Sequence, residues 1–193
     1  CQSDSTKCTS CDYANNYYLR VSDSTCLAVS AMPDGTGANL VSKTADPCTQ
    51  GTACTQCASD YSKCSLCNYG ANYFLDTSTL TCVLLTNIPA GFGANLVNHH
   101  VVSCSVSGCG LCQADYSKCS GCATGSYLRG SDNSCYTVAT MPAGFGASLA
   151  TKTVLACSQS PSCQLCAADY SKCTQCDHGN GYYLRVSDGQ CLT

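Results

Sequence analysis

The apolar positions of this chain come in short runs, and the runs recur. Residues 16–26 read NYYLRVSDSTC, and NYFLDTSTLTC (72–82), GSYLRGSDNSC (125–135) and GYYLRVSDGQC (181–191) follow the same plan. Each sets Tyr, Phe and Leu in a β-prone run, then a turn of Ser, Asp, Thr or Asn, then a returning cysteine, which predicts a short β-hairpin. A second pattern alternates with the first: MPDGTGANLV from Met32, IPAGFGANLV from Ile88 and MPAGFGASLA from Met141. Pro with two glycines signals a turn. The apolar run behind it fits a strand or one or two helical turns equally well, because it is too short for periodicity to separate them. The longest uninterrupted apolar stretches, such as VLL at 83–85, are only a few residues, so no transmembrane segment is expected.

The cysteines set these patterns in register. Each full unit reads C-x(4–5)-C-x2-C-x6-C-x2-C-x(12–14)-C, and a cysteine-free spacer of 21 residues leads to the next. Corresponding third cysteines are Cys1, Cys57, Cys112 and Cys166, giving a period of 56, 55 and 54 residues. The chain is therefore a tandem array. Its divisions are 1–26, a partial repeat holding the third to sixth cysteine positions, and then 27–82, 83–135 and 136–193, each a spacer plus a cysteine-rich repeat.

Composition decides what the cysteines are for. They supply 22 of 193 residues, whereas Leu, Ile, Val and Phe together supply 31. The first figure exceeds the roughly 8–10% of a disulfide scaffold, and the second falls below the roughly 20% of a chain that builds an ordinary core. Such a chain is expected to need its cross-links to fold, which places it in an oxidising, extracellular or cell-surface compartment. It reads as a mature or truncated ectodomain. Nine Lys and Arg against twelve Asp, with no Glu and no Trp, argue against a nucleic-acid or polybasic membrane footprint. Paired C-x2-C motifs are also a zinc signal. The first and sixth cysteines that recur in every full unit, together with the compartment, favour disulfides, so no metal or cofactor is expected. Ser and Thr make up 44 residues without a standard Asn-x-Ser/Thr sequon, so any glycan is expected to be O-linked.

The spacing C-x(3–5)-C-x2-C-x(5–6)-C-x2-C-x-x-G-x-Y-x-L…C resembles the furin-like, growth-factor-receptor cysteine-rich repeat of receptor ectodomains and R-spondins. The match covers the cysteine block of each unit, and the 21-residue spacers depart from it, since the family usually continues there with further cysteines. In overall style, as a long array of similar units rich in Ser, Thr and Ala, the chain is similar to cysteine-rich surface proteins of ciliated protists such as immobilisation antigens. Six cysteines allow fifteen connectivities, and sequence alone does not choose. The furin-like resemblance implies first to third, second to fourth and fifth to sixth. That order would join Cys48 with Cys57, Cys54 with Cys64 and Cys67 with Cys82. The next unit would join Cys104 with Cys112, Cys109 with Cys119 and Cys122 with Cys135. The last would join Cys157 with Cys166, Cys163 with Cys173 and Cys176 with Cys191. In the partial repeat Cys11 would join Cys26, leaving Cys1 and Cys8 with uncertain partners. Either they bridge each other, or the chain belongs to a longer polypeptide that carries the missing first and second cysteines.

Three further features invite a functional reading. DYSKC recurs with little change: Asp60, Asp115 and Asp169 are expected to start a turn that Ser62, Ser117 and Ser171 cap, with each Lys a solvated neighbour. The alternative is a displayed contact row of Tyr61, Tyr116 and Tyr170 with Lys63, Lys118 and Lys172, since Tyr and a cation suit an interface. Phe92 and Phe145 lie between spacer glycines with little local cover, and become candidate assembly contacts. His99 and His100 stand where the other spacers have Lys and Thr, which reads as a variable loop.

Catalysis has little to stand on: three histidines in two places, no Glu, and aspartates in turn-like contexts. The reading is a small disulfide-rich fold, mostly β-hairpins and irregular loops, arranged as an elongated tandem-repeat rod. It would serve as an extracellular structural protein of a surface coat or filament, self-associating or packing against neighbouring coat proteins through repeat-to-repeat contacts. The alternative is an adhesive or receptor-like ectodomain that binds a specific ligand.

Overall fold

The computed structural model describes residues 7–193 as short strands joined by turns and by three-residue 3-10 segments, with no α-helix among the described residues. The stretch between the fifth and sixth cysteines is an antiparallel hairpin in every copy. Tyr17–Arg20 pairs with Thr25–Ala28, Tyr73–Asp76 with Thr81–Leu84, Tyr127–Arg129 with Ser134–Tyr136, and Tyr183–Arg185 with Gln190–Leu192. The leucine of each first strand stands opposite the sixth cysteine, as Leu19 does to Cys26 and Leu75 to Cys82. Ser24, Leu80, Asn133 and Gly189, with φ of 61°, 55°, 52° and 68°, close the four loops in the left-handed region. Four-residue hairpin loops commonly end in such a residue after a type I turn.

The spacers resolve to strand. After a 3-10 turn at Val29–Ala31, Leu85–Asn87 or Val138–Thr140, each spacer forms a second hairpin. Its strands are Thr36–Asn39 and Thr44–Pro47, Phe92–Asn95 and His100–Ser103, and Phe145–Ser148 and Thr153–Ala156. A single parallel contact joins each spacer hairpin to the hairpin before it: Leu19 beside Thr44, Leu75 beside His100, and Leu128 beside Thr153. The result is three four-stranded sheets of strand order 2-1-4-3, each joining one of the first three cysteine-closed hairpins to the spacer hairpin that follows it. The joining bonds run from the Leu19, Leu75 and Leu128 N–H groups to the Lys43, His99 and Lys152 carbonyls at 3.2, 3.0 and 3.0 Å. Those three acceptors are the left-handed residues of the spacer loops, with φ of 62°, 60° and 57°. So the loop that reverses the spacer hairpin also supplies its attachment point.

The chain divides into two compact units, one running to Ile88 and including Ala94–Val102, the other made of Pro89–Gly93 and Ser103–Thr193. Each unit holds two kinds of small core. In the first unit Phe74, Ile88 and Ala94 pack with Val83, Leu85 and Val101 on a sheet, while Cys48, Cys54, Cys57, Cys64 and Cys67 surround Leu75. In the second, Tyr127, Ala147 and Val154 pack with Tyr136, Met141 and Phe145, and five cysteines from Cys157 to Cys176 make the other core. Cores this small supply little apolar burial, so sulfur bridges take over much of the stabilisation.

Candidate functional site

The recurring feature that could carry function is the cysteine block and the seat it makes for the spacer hairpin before it. Within a block, the strand Cys54–Gln56 pairs with Leu66–Cys67, Cys109–Leu111 with Gly121–Cys122, and Cys163–Leu165 with Gln175–Cys176. Each pairing sets the second cysteine opposite the fifth, as Cys54 is to Cys67. The bridges run first to third, Cys48 to Cys57, Cys104 to Cys112 and Cys157 to Cys166. They run second to fourth, Cys54 to Cys64, Cys109 to Cys119 and Cys163 to Cys173. They run fifth to sixth, Cys67 to Cys82, Cys122 to Cys135 and Cys176 to Cys191, and in the partial repeat Cys11 joins Cys26. The second and third bridges lie against each other. Sulfurs of Cys54, Cys64 and Cys82 fall within 4.8 Å of one another, as do those of Cys119, Cys122 and Cys135 and of Cys163, Cys173 and Cys191. Each of these nine sulfurs is half of a disulfide.

Cys8 occupies the seat of a fourth cysteine. Its N–H donates to the Ser24 carbonyl at 2.7 Å, just as Cys64 and Cys173 donate to Leu80 and Gly189 at 2.8 Å. Among the described residues it has no disulfide partner. Cys1 lies outside the described residues.

The DYSKC loop is a turn with a second duty. Asp60 Oδ1 accepts from the Ser62 N–H and hydroxyl at 3.0 and 2.7 Å, and Asp115 and Asp169 repeat the arrangement with Ser117 and Ser171. The aspartate is thus the acceptor and the serine the double donor. The serine hydroxyl, then its N–H, holds each of the three carboxyls below its ordinary pKa. Lys63 and Lys118 stay exposed, yet their ammonium groups lie 3.7 and 3.6 Å from Asp60 and Asp115, so they are ion-paired neighbours and not simply solvated ones. Tyr61 and Tyr170 are half-buried against the cysteine cores. Their backbones tie the loop to the spacer. The Tyr61 N–H donates to Ala38 at 3.0 Å and the Tyr170 N–H to Ala147 at 3.1 Å. The Tyr61, Tyr116 and Tyr170 carbonyls accept from Thr49, Ser105 and Ser158 at 2.9 Å.

The spacer glycines explain why the seat needs its sequence. Gly35, Gly91 and Gly144 have φ of 73°, 82° and 78° and turn the chain into the strand. Two residues on, Gly37, Gly93 and Gly146 leave room for the third cysteine. A Cβ there would stand 2.1 Å from the Cys57 carbonyl oxygen, 2.1 Å from that of Cys112 and 2.2 Å from that of Cys166. Ala38, Ala94 and Ala147, the next residues, are fully buried. Further bonds lock the contact, from Gly35 N–H to Thr55 at 2.7 Å and from Ala38 N–H to Ala58 at 3.0 Å, and in the last repeat from Gly144 to Gln164 at 2.8 Å and from Ala147 to Ala167 at 3.0 Å.

Sequence reasoning missed two contributors. Gln50 reaches across its block to accept from the Cys82 N–H at 2.6 Å and to donate to the Leu80 carbonyl at 3.3 Å; Gln159 does the same with Cys191 and Gly189 at 2.7 and 2.9 Å. Both stand two residues after a first cysteine, where the middle repeat has Val106, and that shared position was the available signal. The second is His99. It stacks on Tyr69 with ring centroids 4.0 Å apart, at the loop position where Lys43 and Lys152 lie over Tyr13 and Tyr127. The variable loop position is therefore a packing slot for a cationic or aromatic side chain.

The two spacer phenylalanines differ. Phe145 does have local cover: the Arg129 guanidinium lies 4.5 Å from its ring centroid, and the ring packs beside Tyr127, Ala147 and Val154. The first repeat has Thr36 at this position, and Arg20 there pairs through Nε with Asp23 at 3.0 Å. Phe92 is 43% exposed, and the residue corresponding to Arg129 is Asp76. An aspartate has no long planar group to lay over a ring.

The arrangement as a whole is mechanical: a sulfur-centred block, clamped to one hairpin behind it through Gly37, Gly93 or Gly146 and to one hairpin ahead through its fifth-to-sixth bridge. Comparison of the chain with protein-family models, with curated proteins and with solved structures finds no match.

Proposed function

We propose that this protein is a non-catalytic structural element of a cell-surface coat or extracellular filament, whose repeats present like surfaces for assembly. Its disulfide-rich repeated units fit an extracellular cysteine-rich protein. The observation that carries the structural reading is the repeated seat, in which a Cβ at Gly37, Gly93 or Gly146 would strike the carbonyl of a third cysteine at nearly the same distance, so that only glycine fits. A chain that spends its invariant geometry on joining one repeat to the next is suited to transmitting position and load along an array. A ligand-capturing ectodomain would be expected to carry one unit whose exposed loops differ in kind, whereas the substitutions here, such as Phe92 and Phe145 for Thr36 or His99 for Lys43, leave the backbone plan unchanged.

Electron microscopy of material from the natural source, labelled with antibody to this chain, tests the reading. Ordered polymers or a continuous coat carrying the label are expected. Label confined to dispersed particles, with no assembly, would overturn it.

A further inference from the structure

The three complete cysteine blocks share one bridging plan but differ in how well they cover it. The first block buries every cysteine except Cys82 and the last every cysteine except Cys191, whereas in the middle block Cys104, Cys109, Cys122 and Cys135 are all partly exposed. The sequence shows which cover is missing. Tyr69 and Tyr73 pack on the first sulfur core and Tyr182 on the last. The middle block has Ser126 where the others have Tyr73 and Tyr182, and its run from the fifth cysteine to the hairpin leucine, 122–128, is two residues shorter than 67–75 and has no counterpart of Tyr69. Gly108, Gly110 and Gly121 stand in place of Ala53, Thr55 and Leu66, and Val106 in place of the glutamine that elsewhere binds the sixth cysteine's N–H. A Cβ at Gly108 would lie 3.5 Å from the Cys135 Cβ, so the missing side chain uncovers that bridge.

Under this thin cover two bridges touch. Cys119 Sγ lies 3.4 Å from Cys135 Sγ, and the sulfurs of Cys119, Cys122 and Cys135 fall within 4.8 Å of one another. Cys109, the partner of Cys119, stands directly opposite Cys122 across the strand pair. Residues so placed on antiparallel strands have Cα atoms about 4.5–5.5 Å apart, inside the roughly 4.4–6.8 Å that a disulfide spans. The four sulfurs of the Cys109–Cys119 and Cys122–Cys135 bridges therefore admit a second pairing, Cys109 with Cys122 and Cys119 with Cys135. The outer blocks share the register, with Cys54 opposite Cys67 and Cys163 opposite Cys176, so exposure is what sets the middle block apart.

We propose that the middle block is a thiol–disulfide exchange site for low-molecular-weight thiols, which convert its Cys109–Cys119 and Cys122–Cys135 bridges into Cys109–Cys122 and Cys119–Cys135. The incoming thiolate attacks Cys109 Sγ, the partly exposed half of its bridge; the Cys109–Cys119 bond breaks, and its electron pair leaves on the buried Cys119 sulfur. That thiolate attacks the neighbouring Cys135 Sγ, forming Cys119–Cys135 and releasing the Cys122 thiolate. Cys122 then attacks Cys109 in the mixed disulfide, forming Cys109–Cys122 and returning the incoming thiolate. Both bridges are conserved in number, so the external thiol acts as a catalyst and nothing is oxidised or reduced overall. The exchange moves the anchor of Cys135, and with it the hairpin of Tyr127–Arg129 and Ser134–Tyr136, from Cys122 to Cys119. It requires no assembly of the repeats.

Timed exposure of the oxidised 193-residue chain to reduced glutathione, quenched with N-ethylmaleimide and followed by peptide mapping, tests it. Glutathione or maleimide is expected on cysteines of the middle block before any of the outer blocks, and the Cys109–Cys122 and Cys119–Cys135 bridges are expected to accumulate. Val106→Gln with Ser126→Tyr restores two of the covering side chains and should slow the exchange toward the pace of the outer blocks. Mapping of that variant before glutathione is added checks that its starting bridges are the native ones. Opening of Cys54–Cys64 or Cys163–Cys173 as early as Cys109–Cys119 would overturn the proposal. So would a middle block that opens first and never yields Cys119–Cys135, because the contact between the two bridges would then pass nothing on.

Discussion

A methyl group at residue 93 would meet the Cys112 carbonyl oxygen at 2.1 Å, far inside contact distance, whereas one at residue 91 would meet nothing within 4 Å. The two glycines of the spacer motif are therefore needed for different reasons, and substitution separates them. Gly93→Ala should cost about 3 kcal/mol, because backbone must move. Gly91→Ala should cost about 1 kcal/mol, the strain of a left-handed residue. Denaturant unfolding without reductant measures both, and equal losses would remove the close-approach argument. Asp60 offers a pH test. Its folded pKa is depressed chiefly by the Ser62 hydroxyl and N–H, so its contribution is complete above the unfolded pKa and is lost as pH falls toward the folded one. Ser62→Ala should move the Asp60 carboxyl titration, followed by NMR, upward toward the ordinary aspartate value. An unmoved midpoint would assign the depression elsewhere.

At the scale of the element, the sheet edge is held by side chains as well as strands. Gln50 and Gln159 satisfy the Cys82 and Cys191 N–H groups at 2.6 and 2.7 Å, and the middle repeat has Val106 in that place. Gln50→Ala should speed hydrogen exchange at the Cys82 amide and cost about 1–2 kcal/mol. Val106→Ala should leave the Cys135 amide unchanged. The spacer loop has its own requirement. His99 at φ 60° occupies the position of Lys43 and Lys152, so His99→Lys should be close to neutral in thermal melts. His99→Val should be destabilising, since a β-branched residue resists the left-handed region.

At the scale of the whole molecule, sulfur replaces the apolar core. The Cys67 to Cys82 bridge closes a separation of 15 residues, and its loss in a Cys67→Ala, Cys82→Ala variant should cost about 3 kcal/mol. Full reduction should unfold both compact units, because the remaining apolar clusters are a few side chains each. Circular dichroism with and without reductant checks this, and a native spectrum in reductant would show that the hairpins stand without their bridges.

The sequence by itself determined what is local and periodic. Cysteine register, the repeat length, and the hairpins ending at Cys26, Cys82, Cys135 and Cys191 are legible because β-prone runs, turn residues and cysteine spacing lie within a few residues of one another. The strand state of the spacers was not legible, since four residues such as Thr36–Asn39 carry too little periodicity, and their pairing depends on a partner strand and on a cysteine block beyond it. Only the tertiary structure decided which apolar residues of GANLV are buried: Ala38 lies under the Cys57 block, while Leu40 and Val41 pass beyond the strand end into a loop. It likewise decided that Phe145 is covered and Phe92 is not, because a ring's cover comes from residues such as Arg129, which the chain brings near only after both hairpins are paired.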